Sequence, residues 1–451
     1  MLTDIFFYLD IFENALWGLL GVPLLMMLGL YLTLKSNFLQ IRKLPHAIKK
    51  FATLLRVREV DERGVHPLKA FFACVGGCVG VGNIVAICTA IQIGGPGALF
   101  WIWVTAFAGM IVKYAEVFLG LKYRVPNNSG GYNGGPMYFL QRIFKKMWIP
   151  KFVCFLLCIY GVEVYQFSVI TDSIVTNLHA NQYLIIVIML VLVLFAGSGG
   201  VRRVGNISST IIPIFVVIYL GMGLWVLGNN ITAIPSALNL VLSSAFTDAA
   251  AFGGFAGSTL MLTLSQGVRR GCYTGDLGVG YASVIHSESN IKVPQEQATL
   301  AIFDVFIDTF VICTTGVMMV IVTDVWHQPI PASMMVQMAL GQYFPYMHFF
   351  MPFFLFLLGY STINAYFCVG LKCADFISPR YGRKIYYVYG VVALVLFSFA
   401  GVNQAQTIMT IANGMLLVIN CYGIFRLRRD ISYNVGEVSG SEVAEPVAAT
   451  S

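Results

Sequence analysis

The chain has 451 residues, of which 58% are hydrophobic and 11% charged, with 34 Phe and a formal net charge of +7. A water-soluble domain of this length has no interior large enough for that much apolar surface, so a soluble globular class is excluded. The surplus positive charge sits in connections between apolar runs, which suits an anionic inner leaflet and gives no sign of nucleic-acid binding.

Apolar runs of bilayer-crossing length recur along the chain. Eleven are predicted: 12–34, 68–92, 97–121, 151–175, 182–200, 207–228, 250–284, 299–323, 348–371, 385–401 and 404–425. The seventh is interrupted, and the short apolar stretch 331–343 is expected to lie against the outer face as a partial helix. The first run follows Asp4 and Asp10 rather than a basic region, so no cleavable signal peptide is predicted. Lys35, Arg42, Lys43, Lys49, Lys50, Arg56, Arg58 and Arg63 crowd the connection after the first run, and Lys122, Arg124, Arg142, Lys145, Lys146 and Lys151 that after the third. Arg202 and Arg203, Lys292, Lys372, Arg380, Arg383 and Lys384, then Arg426, Arg428 and Arg429 continue on alternate connections, while 176–182, 229–249 and 324–347 hold no Lys or Arg. The positive-inside rule then places the N-terminus outside and the C-terminus in the cytoplasm. The chain divides into an extra N-terminal helix at 1–34, a basic cytoplasmic segment at 35–67, five-helix units at 68–228 and 250–427, and a disordered tail at 433–451.

Gly76-Gly77-Cys78-Val79-Gly80-Val81-Gly82-Asn83 lies inside the second run. Each Gly costs a helix about 1 kcal/mol relative to Ala, so this stretch reads as a break. Unwound backbone at membrane depth is tolerated where it is buried or lines a cavity, and there it holds ions and polar solutes. Close helix packing is the other reading, but it calls for small-xxx-small spacing rather than a Gly cluster with Asn83. A second interruption, Gly267-Val268-Arg269-Arg270-Gly271-Cys272-Tyr273-Thr274-Gly275-Asp276-Leu277-Gly278, falls in the seventh run. With the first helix set aside, the broken runs are the first and sixth of a ten-helix core, the pattern of an inverted-repeat transporter with its site at the midplane. The ten Cys include pairs one turn apart, Cys74/Cys78 and Cys154/Cys158, but no His accompanies them. They read as small apolar residues, without a structural disulfide or a metal. No nucleophile–base set and no selectivity-filter repeat appears, so an enzyme or a channel is disfavoured.

Several stretches carry a resemblance: Gly80-Val81-Gly82-Asn83-Ile84, Gly94-Gly95-Pro96-Gly97-Ala98-Leu99-Phe100-Trp101, Lys113-Tyr114-Ala115-Glu116, Gly134-Gly135-Pro136-Met137-Tyr138, and Phe306-Ile307-Asp308-Thr309 opening a later helix. Together they resemble the alanine/glycine:cation symporter family of bacteria and archaea over nearly the whole chain. The resemblance implies an all-α integral membrane protein with a LeuT-like five-plus-five inverted-repeat fold and one extra N-terminal helix. It implies no enzyme but a Na⁺-coupled importer of alanine or glycine, D-alanine included, working as a monomer in a bacterial cytoplasmic (inner) membrane. Where the family reads Phe-Ser-Asn-Glu-Ala-Gly in the second break, this chain has Tyr273-Thr274-Gly275-Asp276-Leu277-Gly278. A family Trp is replaced by Tyr366 after Ser361-Thr362. These departures keep glutamine or serine open as the cargo, and H⁺ as the coupling ion.

A zwitterionic amino acid needs donors for its carboxylate and acceptors for its ammonium, and unwound helix ends supply both. Gly77, Gly80 and Gly82 let the main chain approach a small cargo, with Asn83, Thr274 and Gly275 beside it. Tyr273 and Tyr366 are candidate pocket walls, or ordinary packing aromatics. The resemblance makes Gln166 substrate-facing; otherwise its amide glues helices. The hydroxyls of Ser361 and Thr362, with the carbonyls of Gly76 and Val79, resemble the Na⁺ site that bridges the first and eighth core helices. Bonding within their own helix is the alternative. Asn83 and Thr274 are candidates for a second Na⁺. Charges inside the membrane need partners. Lys113 is expected to pair with Glu116, and Asp276 with Arg269 or Arg270. Asp304 and Asp308 are expected near a cytoplasmic helix end, and Glu163, without a partner, to take a proton.

Overall fold

In the computed structural model the first apolar run is one rod from Leu2 to Lys35, made of α1 (Leu2–Leu16), a π-helical turn at Trp17–Gly21 and α2 (Val22–Lys35). The structure describes residues 2–56, 63–127, 130–197, 199–247 and 260–436. The π turn directs Trp17 inward, where its Nε1 donates to the Thr410 carbonyl at 3.0 Å. Leu19, Met27, Leu30 and Leu34 of the same rod stay exposed, an apolar flank suited to lipid.

The core begins with α3 (Pro67–Cys78) and α4 (Ala86–Gly94), joined by a 3₁₀ turn at Val81–Asn83. The pair bends by 52° at its break. Then come α5 (Ala98–Lys122), α6 (Trp148–Tyr160), α7 (Val164–Leu178), α8 (Gln182–Gly197) and α9 (Gly200–Asn229). The second half holds α10 (Leu260–Gly275), α11 (Tyr281–His286), and α12 (Pro294–Val305), which runs through a π segment at Phe306–Cys313 into α13 (Thr314–Val322). It closes with α14 (Met347–Ile377), α15 (Gly382–Ala400) and α16 (Val402–Arg426). Eight described helices are long and apolar enough to cross a membrane, and the bent α3–α4 pair makes nine. The run expected at 182–200 is the shorter α8, and residues 248–259, at the start of the seventh run, lie outside the described residues. A short helix, Ala332–Gly341, falls within the stretch 331–343, and another, Ile234–Ser244, occupies a connection read as a loop.

The second break lies later than the sequence suggested. Helix α10 continues through Gly275, and the chain turns at Asp276, Gly278 and Gly280, whose φ values are +48°, +73° and +104°. Gly267, Gly271 and Gly275 recur every four residues, the spacing of a packing stripe. A methyl group on Gly267 would meet the Ala98 carbonyl at 2.7 Å, and one on Gly271 would meet Thr105 at 3.2 Å. Gly267 and Gly271 therefore let α10 press against α5, and the helix is not broken there. A further break went unforeseen in the fourth run, where Gly161 to Glu163 separates α6 from α7 and Glu163 adopts φ +52°.

The basic connections meet on one face. Lys122 Nζ donates to the Asp430 carbonyl and Lys43 Nζ to the Val435 carbonyl, both at 2.8 Å, and Arg124 reaches the Ser287 carbonyl at 3.1 Å. Residues 430–436 run back across this face, and 437–451, most of the expected tail, lie outside the described residues. At the opposite face, Trp101 bonds the Ala245 carbonyl at 3.0 Å and Gln92 the Ile330 carbonyl at 2.9 Å.

Candidate functional site

The first break exposes backbone in both senses. Val79 and Gly80 are extended, and the amides beyond them are met by side chains. Asn83 Oδ1 accepts from the Gly80 amide at 2.9 Å, and Gln166 Oε1 accepts from the Val81 amide at 3.0 Å. A methyl on Gly80 would stand 2.6 Å from both Gln166 Oε1 and Thr362 Oγ1. On the carbonyl side, Thr362 Oγ1 lies 2.9 Å from Gly76 O, 3.5 Å from Val79 O and 3.3 Å from Leu358 O of its own helix. Ser361 Oγ bonds Ser208 Oγ at 2.7 Å, and a methyl on Gly76 would come within 2.7 Å of Ser361 and overlap Ser208. Gly76, Val79, Ser361 and Thr362 are thus brought together. The set is all oxygen, two carbonyls and hydroxyls, the donor chemistry that suits a hard monovalent cation. Ser208 was missed. Its signal was the polar run Asn206-Ile207-Ser208-Ser209-Thr210 at the start of an apolar segment.

Asn83 also points away from the break. Its Nδ2 donates to Asp308 Oδ1 at 2.5 Å and to Cys313 Sγ at 3.3 Å, and Thr309 Oγ1 donates to Asp308 Oδ2 at 3.0 Å. Asp308 sits in the π segment Phe306–Cys313, near the middle of the long α12–α13 rod rather than at its start or at a membrane face. Thr274 lies across Gly82 from Asn83, its methyl 3.6 Å from one built on Gly82, but its hydroxyl bonds the Arg270 carbonyl at 3.0 Å. The two expected ligands of a second ion therefore flank Gly82, and the carboxylate at that place is Asp308.

The second break is organised by Asp276. Its Oδ1 accepts from Tyr160 at 2.9 Å, and its Oδ2 accepts from the Tyr366 hydroxyl and, at 3.3 Å, from Cys78 Sγ. The expected pairing with Arg269 or Arg270 does not form. The helix runs on past both arginines, so they stand about 10 Å along its axis from the turn, at 1.5 Å per residue. Arg269 instead pairs with Glu13 at 3.1 Å and bonds Asn14 at 2.7 Å, and Arg270 donates to Thr410 Oγ1 at 3.3 Å. Glu163 is buried and does have a partner, since its Oε2 accepts from the Tyr273 hydroxyl at 3.1 Å; its Oε1 has none. Tyr273 and Tyr366 each hold a buried carboxylate through the hydroxyl. Tyr366 also stacks on Tyr281 at 4.2 Å between centroids, and Tyr273 meets Tyr165 edge-on at 6.0 Å. Gly77 admits Tyr281, because a methyl there would overlap the Tyr281 hydroxyl.

Lys113 does not pair with Glu116. Its Nζ lies 2.5 Å from Asp304, 2.9 Å from the Gly275 carbonyl and 3.2 Å from Cys78 Sγ. Glu116 turns to the start of α11, accepting from the amides of Gly280 and Ser283 at 3.1 Å each. Two residues three apart on one helix thus serve different neighbours, because a carboxylate at a helix N-terminus satisfies otherwise unpaired amides. Cys74, Cys78 and Asp304 come within 4.8 Å of one another, a grouping of metal-ligand type, but the Lys113 ammonium already bonds Cys78 and Asp304 there.

The sequence model of the sodium:alanine symporter family matches residues 3–437. An uncharacterized transporter of Haemophilus influenzae is 32% identical over 437 residues, covering 94% of each chain. The sodium/alanine symporter AgcS of Methanococcus maripaludis is 28% identical over 431 residues, 92% of this chain and 93% of that one. A Bacillus subtilis protein described as "Probable sodium/glutamine symporter GlnT" is 28% identical, covering 92% of this chain and 87% of its own. Among solved structures, MhsT in complex with L-phenylalanine superposes with a TM-score of 0.58 at 15% identity, covering 82% of this chain and 90% of that one. Inward-facing Mhp1 gives 0.52 at 16% identity, covering 82% and 78%. Both carry the LeuT-type fold, and the likeness is one of fold alone.

Proposed function

The chain belongs to the sodium:alanine symporter family, and from that premise we propose that it is a Na⁺-coupled symporter importing a small neutral amino acid by alternating access, alanine or glycine foremost and D-alanine included. The observation that supports it most is the first break, where Thr362 and Ser361 of α14 and Ser208 of α9 crowd against the carbonyl side while the amide side turns to Gln166. Na⁺ is placed among Gly76 O, Val79 O and the hydroxyls of Ser361, Thr362 and Ser208. A second Na⁺ is placed beside Asn83 and Thr274, with Asp308 as the charged ligand. Cargo lies against Gly77, Gly80, Gly82 and Gly275, next to Gln166, Tyr273 and Tyr366. In this structure the Gly80 and Val81 amides are held by Asn83 and Gln166. A cargo carboxylate takes over those amides and releases the two side chains, so cargo and the Asn83 ion site are linked through one residue. The basic face is cytoplasmic, the N-terminus is outside, and the chain works as a monomer in a bacterial inner membrane.

Counterflow in proteoliposomes with a panel of labelled amino acids tests the reading. Alanine and glycine should exchange in Na⁺ and fail to do so in choline. Exchange indifferent to Na⁺ would overturn it. A second reading takes glutamine or serine as cargo, or H⁺ as the driving ion. It is favoured by the unpaired Glu163 Oε1, by the name of the Bacillus subtilis relative, and by the departures at Gly275 and Tyr366. Selection of glutamine from the panel, or uptake driven by a pH gradient without Na⁺, would establish that reading instead.

A further inference from the structure

Two cavities meet at the connection between α14 and α15. One, of about 410 Å³, lies between α6, α14 and α15, and Phe155, Ile159, Ile377, Ile385 and Tyr389 make its lining almost wholly apolar. It opens on a flank where Phe155, Ile385, Val388 and Val392 are exposed, a surface suited to lipid. Its back is fixed, because Tyr386 is buried and its hydroxyl fills the space that Gly370 leaves, where a methyl would overlap it. The other cavity, of about 970 Å³, lies on the basic face, where four cations, Lys372, Arg380, Arg383 and Lys384, stand against two carboxylates, Glu288 and Asp375. Residues of one connection alternate between the two. Ile377, Ser378 and Gly382 line the apolar groove, and Pro379, Arg380 and Arg383 the charged chamber. That connection is therefore a wall the two cavities share.

The charges of the chamber do not cancel. Lys372 pairs with Glu288, and Arg383 with Asp375 at 2.8 Å. Arg380 stands 5.2 Å from the centre of the Tyr381 ring, and among the described residues no carboxylate pairs with Arg380 or Lys384. On the opposite wall of the groove, Lys151 lies one turn before Phe155 on the exposed flank of α6. Cations left over beside an apolar groove that opens to lipid match one molecule with an anionic head and a hydrocarbon tail. We propose that this is a binding site for an anionic phospholipid of the leaflet on the basic face, with its acyl chain in the groove and its phosphate between Arg380 and Lys384. A zwitterionic lipid brings an ammonium to the same cations and so binds less well. A soluble anion makes no use of the groove. The site stands apart from the two breaks where cargo and ions are placed, so it holds whichever amino acid is carried.

The test uses the full chain in phosphatidylcholine proteoliposomes, with Ile385→Trp as a reporter at the mouth of the groove. A small share of the lipid is replaced by phosphatidylglycerol, or by phosphatidylcholine, brominated on its acyl chains. Quenching of tryptophan fluorescence beyond that of the wild type is then measured. Brominated phosphatidylglycerol should quench the reporter far more strongly than brominated phosphatidylcholine. One Lys or Arg near the surface raises affinity for an anionic lipid by about fivefold, so adding Arg380→Gln/Lys384→Gln should cut the preference by about twentyfold. Adding Lys49→Gln/Arg429→Gln, which removes the same charge from exposed positions elsewhere on the basic face, should leave it unchanged. Native mass spectrometry covers the case in which the reporter fails to fold: the wild type should retain one phosphatidylglycerol per chain, and Arg380→Gln/Lys384→Gln should retain none. Equal quenching by the two lipids, equal loss in the two double variants, or relief of the quenching by inorganic phosphate would overturn the site. So would phosphatidylglycerol retained alike by wild type and Arg380→Gln/Lys384→Gln.

Discussion

Thr362 is the side chain on which the most contacts of the first break depend. Its hydroxyl reaches two carbonyls of that break, Gly76 and Val79, and sits 2.6 Å from where a side chain on Gly80 would begin. Thr362→Ala removes one hard ligand and leaves the carbonyls in place. The concentration of Na⁺ giving half-maximal uptake should rise about tenfold, the effect of one bond to a charged group, while the ranking of competing amino acids stays the same. Thr362→Ser keeps the oxygen and should behave like the wild type. Unchanged Na⁺ activation in Ser361→Ala/Thr362→Ala would move the ion elsewhere. Tyr366 raises a different question, because its ring stacks on Tyr281 while its hydroxyl serves Asp276. Tyr366→Phe keeps the ring and leaves the buried carboxylate one donor short. A deficit of that kind costs about 1–3 kcal/mol, so the melting temperature in detergent should fall measurably. Tyr366→Ala opens the side-chain space as well and should admit larger cargo, which competition by leucine would reveal.

At the scale of elements, two glycine clusters that look alike in the sequence do opposite jobs. Gly76 to Gly82 lets the chain leave the helix, whereas Gly267 and Gly271 keep a helix continuous and close to its neighbour. Gly267→Leu should therefore act on packing. The side chain would enter the Ala98 backbone, and overpacking of this sort costs about 1–3 kcal/mol. Thermal stability should drop with no selective effect on Na⁺ or on cargo. A change in selectivity without loss of stability would show the stripe to be part of the pocket. The spacing of four is present in the sequence, but Asp276 and two arginines among the glycines give the stretch the polar composition of a break. The first break and those runs that form long apolar helices were legible because each depends on local composition. The break at Gly161–Glu163 was not, since one Gly and one Glu in an apolar run mark no turn until Glu163 is seen at positive φ. Nor was Ser208, whose role depends on a partner 153 residues away. The charge pairs failed for the same reason: Lys113, Glu116, Asp276 and Arg269 all choose partners from distant helices over near neighbours in sequence.

For the whole molecule the first question is which face is the cytoplasmic one. The proposed orientation follows from the basic connections, which the structure gathers on one side through Lys43, Lys122 and Arg124. Ser236 and Arg380 are both exposed and lie in connections of opposite kind. Gly382 is unsuitable as a probe, because a side chain there would overlap the Ala374 carbonyl. All ten native cysteines are buried, so background labelling is low. Ser236→Cys should react with an impermeant maleimide in intact cells, and Arg380→Cys only after the membrane is opened. The reverse pattern would invert the topology.

Lys113 has a bearing on how such a protein endures a changing medium. Its ammonium ties α5 to Cys78 of the first broken helix, to Gly275 of the second and to Asp304 of α12. A dissolved ion at such a junction comes and goes with its concentration outside. A cation carried on the chain is present at a fixed count of one, whatever the salinity. These four elements therefore share a clamp that dilution cannot remove. Fresh water and brine leave the same framework, and only the cargo and the mobile ions register the difference.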